Sequence, residues 1–146
     1  MFELKSVLME ISQKWNYKMD EISPGVFRMD VAIKMKDGSF RYQFVYVWMV
    51  KHATNQRDMI YMNSRCGEYV PTLNLYSMMK EAIWGLYSIV TITTDKRADG
   101  SPCETVIVQA SPYKDWTSKD MLDEIIYEVA ANADICEEKF FGGDKN

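Results

Sequence analysis

Apolar residues recur at Leu4, Val7, Leu8, Ile11 and Trp15, the three-and-four spacing that lines one side of an α-helix. A Pro-Gly turn signal, "ISPG" at 22–25, then breaks the chain. Two alternating runs follow at 26–50, "VFRMDVAIKMKDGSFRYQFVYVWMV", on either side of Asp37-Gly38. Asp-Gly between alternating runs is a strong hairpin signal. A two-residue turn there pairs Ile33 with Tyr42, Val31 with Phe44, Met29 with Tyr46 and Phe27 with Trp48, so that one face is apolar throughout. Four aromatics of about 150–250 Å² each exceed the roughly 300–600 Å² of the largest apolar patch on a typical monomer. The row Tyr42, Phe44, Tyr46 and Trp48 is therefore expected in the core. The alternate face, which carries Arg28, Asp30 and Lys34 with Val45, Val47 and Met49, is expected to stay open.

Beyond a polar connection, "KHATNQR", the pattern predicts a third strand over 58–67 and a second helix over 71–85. A second strand pair follows around "KRADGSP". Last comes a long amphipathic helix over 117–143, whose apolar stripe is Leu122, Ile125, Val129, Ala133 and Cys136. Thr117 with Asp120 resembles a capping box at its start. The element order is α-β-β-β-α-β-β-α. One apolar stripe per long helix and one apolar hairpin face point to an α+β layer, an antiparallel sheet of about five strands with the N- and C-terminal helices on one face.

Composition narrows the class. With 146 residues, 47% hydrophobic and 26% charged, the chain reads as one globular domain over 1–146. A net charge of −4 and the lack of a basic patch with interleaved aromatics argue against nucleic acid. No apolar run approaches the roughly 20 residues of a membrane-spanning helix, and the charged N-terminus lacks a secretory signal's apolar core. Three isolated cysteines suit a reducing compartment, so the expected location is the cytoplasm.

Candidate chemistry is sparse. His52, the single histidine, has no nucleophile or orienting acid to pair with and reads as a loop residue. Cys136 lies on the apolar stripe, where a thiol is inert; Cys66, at a strand end, is the one cysteine to watch. The carboxylates Asp120, Asp123, Glu124, Glu128, Glu137 and Glu138 read as the last helix's solvated face, with no Glu-x-x-His pattern for a metal. No cofactor or metal site is expected. The methionines, 11 of 146 residues, gather at Met49, Met59, Met62, Met78 and Met79, either as adaptable core filler or as a surface that accepts a protein.

Three short motifs carry a resemblance. Arg41, Gln43, Val45 and Val47 form R-x-Q-x-V-x-V. Ser64, Cys66 and Gly67 form S-x-C-G, and Val129-Ala130, Ala133-Asp134 and Glu137 form V-A-x-x-A-D-x-x-E. In these the chain resembles the YbjN-like family, a branch of the type III secretion chaperone-like fold, over nearly its whole length. The family's Leu-Leu with a nearby Asn is replaced here by Met78-Met79-Lys80-Glu81. The resemblance implies an α+β domain that is often dimeric and non-enzymatic, in a fold whose members bind other proteins.

These readings converge on a non-enzymatic protein-interaction module, chaperone-like or regulatory, that binds a protein segment or forms a homodimer. Its expected anchors are Val45, Val47, Met49, Met78, Met79 and Trp84, with Arg28, Arg41 and Glu81 as a polar rim. The alternative is a small-molecule binder or enzyme with a pocket near Cys66, His52 and Tyr61.

Overall fold

A computed structural model describes residues 3–81 and 85–142. Helix α1 (Leu4–Trp15) buries Leu4, Leu8 and Ile11, as its spacing requires, and ends where Asn16 turns left-handed at φ 58°, a conformation that Asn tolerates. Strands β1 (Lys18–Ser23), β2 (Val26–Lys34), β3 (Phe40–Lys51) and β4 (Asp58–Glu68) follow, then a short α2 (Leu75–Glu81), β5 (Ile89–Lys96), β6 (Pro102–Ala110) and α3 (Lys119–Phe141). The six strands form one antiparallel sheet in the order β1-β2-β3-β4-β6-β5. The α+β class and the two terminal helices agree with the sequence pattern, but the sheet has six strands rather than five.

The additional strand is β1, at the sheet edge. Only Met19, opposite Met29, faces the core; the other residues of β1 are mostly exposed. An edge strand with little to bury has no apolar alternation to betray it.

Helix α3 lies across β2, β3, β4 and β6, and its expected stripe Leu122, Ile125, Val129, Ala133 and Cys136 is buried throughout. Its N-cap is Ser118, whose Oγ accepts the Met121 N–H at 3.1 Å. Thr117, expected in that role, instead donates to the Tyr113 carbonyl at 2.6 Å.

The β2–β3 hairpin overturns the expected sides of the sheet. Its loop has three residues, Lys36 to Gly38. Gly38 donates to the Met35 carbonyl and Met35 to the Ser39 carbonyl, and Gly38 takes φ 88°. This is a type I turn closed by a left-handed glycine, the usual three-residue solution. The extra loop residue moves the register by one, so Phe27 faces Val47, Met29 faces Val45 and Val31 faces Gln43. A one-residue slip exchanges the two faces of a strand. Val45 and Val47 are fully buried under α3, whereas Tyr42 is 55% and Phe44 38% exposed. The aromatic row is on the outside.

Beneath α3 runs a polar seam. Arg41 Nε and Nη2 donate to Asp134 Oδ2 at 3.0 and 2.5 Å, and Arg41 also pairs with Glu138. Gln43 donates to the Arg65 carbonyl at 2.7 Å, and Ser64 to the Phe44 carbonyl at 2.6 Å. Farther along, the Cys66 thiol meets Cys136, and that hydrogen bond with burial pushes Cys66 well above the ordinary thiol range.

At the seam's end Gly67 lies flat against Phe141, and a Cβ there would run into the aromatic ring. Gly67→Ala is expected to cost about 1–3 kcal/mol, the usual scale of overpacking, as a lower denaturant midpoint. Phe141→Ala, which opens the space, should abolish most of that increment.

Candidate functional site

Among the described residues, the sheet face away from α3 carries no α-helix. Along β3 it presents Tyr42, Phe44, Tyr46 and Trp48, and register places Arg28, Asp30 and Ala32 beside them on β2 and Tyr61 and Asn63 on β4. The aromatics pack partly on one another and on an arginine. Trp48 and Tyr61 meet at 4.7 Å between ring centroids, and the Arg28 guanidinium lies 4.8 Å over the Phe44 ring. The outer rings stay in water.

Polar groups on this face are matched among themselves. Arg28 pairs with Asp20 at 3.0 Å and Arg65 with Asp95 at 2.8 Å, while Lys18 stands opposite Asp30 across the strands. The Tyr61 hydroxyl donates to Gln109 Oε1 at 2.8 Å and accepts from Asn63 Nδ2 at 3.3 Å. The face thus carries charges of both signs, Lys18, Arg28, Lys34 and Arg65 with Asp20, Asp30 and Asp95, around exposed apolar rings. Its two ion pairs can lose water without either partner being left uncompensated.

The residues nominated from sequence scatter. Val45, Val47 and Met78 are buried and so unavailable as surface anchors, because β3 turns its valines toward α3 and α2 sets Met78 into the core. Met49 packs against the core from its margin. Met79 is 55% exposed, on a different element from the aromatic face. Trp84 lies outside the described residues. Arg41 belongs to the buried seam, and Glu81 holds Lys139 at 2.8 Å, far from a common rim. Of the eight that are described, Arg28 alone lies on the uncovered sheet face.

The small-molecule alternative is not assembled. His52 sits in the turn before β4, its Nδ1 accepting the Thr54 N–H at 3.2 Å. Cys66 is buried near the far end of β4, and the strand from Asp58 to Cys66 spans about 26 Å at the usual rise per residue. Tyr61 lies between them, on the aromatic face.

The acidic set is not one solvated face either. Asp123 and Glu137 are buried; Asp123 accepts from Trp15 at 2.8 Å and from Lys14 at 3.1 Å. Glu128 accepts the backbone N–H groups of Leu86, Tyr87 and Ser88 at 2.7–3.0 Å. Among the described residues no group of three or more His, Cys, Asp and Glu side chains could hold a metal ion.

A concavity of about 1150 Å³ flanks α3, lined by Trp15, Tyr17, Phe40, Tyr127 and the carboxylates Asp120, Asp123, Glu124 and Glu128 among others, with no Cys, His, Ser or Thr among the described residues that line it. Burial, with Asp123 and Tyr127 nearby, pushes the Tyr17 phenol up to about 12. A raised folded value means that the folded state keeps a proton which the unfolded chain gives up near pH 10. That contribution is whole below pH 10 and is lost as the pH rises toward 12. Phenolate absorbance should show one tyrosine titrating about two units late, and Tyr17→Phe should remove its share of the alkaline destabilisation.

No described helix is long and apolar enough to cross a membrane. The chain matches no protein-family model, no curated protein and no solved structure.

Proposed function

We propose that this chain is a non-enzymatic, cytoplasmic protein-interaction module that binds a protein through the sheet face opposite α3. One observation carries the reading. Tyr42 and Phe44 stay exposed beside the half-buried Tyr46 and Trp48, on a face that also holds the Arg28–Asp20 and Arg65–Asp95 ion pairs. Aromatic area of that kind, low in uncompensated charge, is what distinguishes the centre of an interface from ordinary surface.

The resemblance to the YbjN-like family fits the proposal in kind, since the wider fold includes protein-binding chaperones. The three motifs that carry it coincide with the α3 seam. Arg41 meets Asp134, Cys66 meets Cys136, and Gly67 meets Phe141. In this reading they specify how α3 docks and leave partner choice to the opposite face.

Fractionation of extracts from the native cells tests the proposal. The endogenous chain should elute well above its 17.0 kDa monomer mass. Replacement of Tyr42, Phe44 and Trp48 by Ser should return it to monomer size with unchanged circular dichroism. Elution of the native chain as a monomer would count decisively against this function.

A further inference from the structure

We infer that the occupant of the aromatic face is a second copy of this chain, docked sheet to sheet about a two-fold axis. This rests on the proposed function and names its partner.

Extent is the first argument. Six strands about 4.8 Å apart, with rows about eight residues long, give a face of about 24 Å by about 26 Å, on the order of 600 Å². A standard interface covers about 800 Å² per partner. At about three quarters of that figure, the face approaches the area that a stable dimer uses.

Charge is the second. Lys18 and Asp30, Arg28 and Asp20, and Arg65 and Asp95 are set against one another within the face. With charges of both signs interspersed, the face offers a strongly acidic or basic partner no field of one sign. An isologous contact brings a surface against itself, which demands the balance seen here: a face of one sign would repel its own copy.

Shape is the third. Recognition of a helix or an extended segment uses a groove or a free strand edge. The concavities along α3 and beside β5 and β6 are lined by residues other than Tyr42, Phe44, Tyr46 and Trp48. Two twisted sheets, by contrast, pack face to face with strands about 30° apart, interleaving side chains across about 10 Å. In that arrangement Tyr42 and Phe44 insert between the corresponding rings of the other copy, and the Trp48–Tyr61 pair lies near the centre.

Sedimentation equilibrium of the purified full chain, over a wide concentration range, reads the association. The wild type should reach twice the monomer mass. Tyr42→Lys with Phe44→Lys, which sets like charges across the axis, should weaken the dimer at least a hundredfold. Tyr127→Lys, on the exposed side of α3, should leave it unchanged. Should the double variant misfold, Tyr42→p-benzoylphenylalanine gives the answer in a folded chain: irradiation should join residue 42 to β3 or β4 of a second copy. A purified chain that stays monomeric, a dimer indifferent to the double variant, or photo-adducts only to other proteins would each overturn the inference. Adducts to another protein, with a large complex in native extracts, would leave the interaction function standing. A monomer in both settings would remove both.

Discussion

Val45→Asp is expected to unfold the protein, while Phe44→Thr, one residue earlier, leaves it folded. Val45 is fully buried opposite Met29 under α3, and the neighbouring Arg41, Gln43 and Ser64 are already engaged with Asp134 and with backbone carbonyls. An aspartate there has no cation to meet. The cost of a buried uncompensated carboxylate, even after partial rescue by protonation, is several kcal/mol, against a whole-domain stability of about 5–15 kcal/mol. Phe44 is partly in water already, and threonine suits a strand. Its replacement forfeits part of the ring's burial and the Arg28 contact, about 1 kcal/mol. Urea midpoints of the two variants check the contrast. It would reverse if the row Tyr42–Trp48 faced α3.

The second large effect is at Arg41. Its guanidinium grips Asp134, whose side chain is only 5% exposed, and reaches on to Glu138. Both carboxylates push the arginine's pKa up against the opposing effect of burial. Arg41→Ala strands the Asp134 charge, a loss of about 3–5 kcal/mol for a buried pair broken on one side. In an Asp134→Ala background the same change should cost much less, because no charge remains to be stranded. A double-mutant cycle in denaturant checks this. A single-variant cost under about 1 kcal/mol would place the pair among ordinary surface bridges.

The two effects locate where sequence reasoning held and where it failed. Helices α1 and α3 were legible because each has one apolar stripe and water on the other side. Strands β2 and β3 were legible as strands, and Asp37-Gly38 as their turn. Their register was not, because both faces of β3 are apolar. Tyr42, Phe44, Tyr46 and Trp48 alternate with Val45, Val47 and Met49, so hydrophobicity alone has no preferred side. The choice is made by Arg41 and Gln43, which share the valine face and find polar partners only beneath α3. A charged residue beside a buried run reads as a sign of exposure; here it marks the seam.

That inversion carried the candidate site with it. Val45 and Val47 qualify as anchors only if the aromatics fill the core, on the ground that their combined area is too large to leave in water; the structure instead leaves Tyr42 and Phe44 exposed. The same area, placed outside, now argues for a partner. Asp123 and Glu137 misled in a related way: carboxylates at helical spacing look solvated until Lys14 and Trp15, far away in sequence, close over Asp123.

Hydroxyl-radical footprinting, read residue by residue in dilute and in concentrated solution, asks the decisive question of the sheet. Tyr42 and Phe44 should be oxidised readily at low concentration and become protected as the chain associates, while Val45 and Val47 stay unlabelled at both. Labelled valines beside protected rings in the dilute monomer would mean that the faces are the other way round, and the partner surface with them.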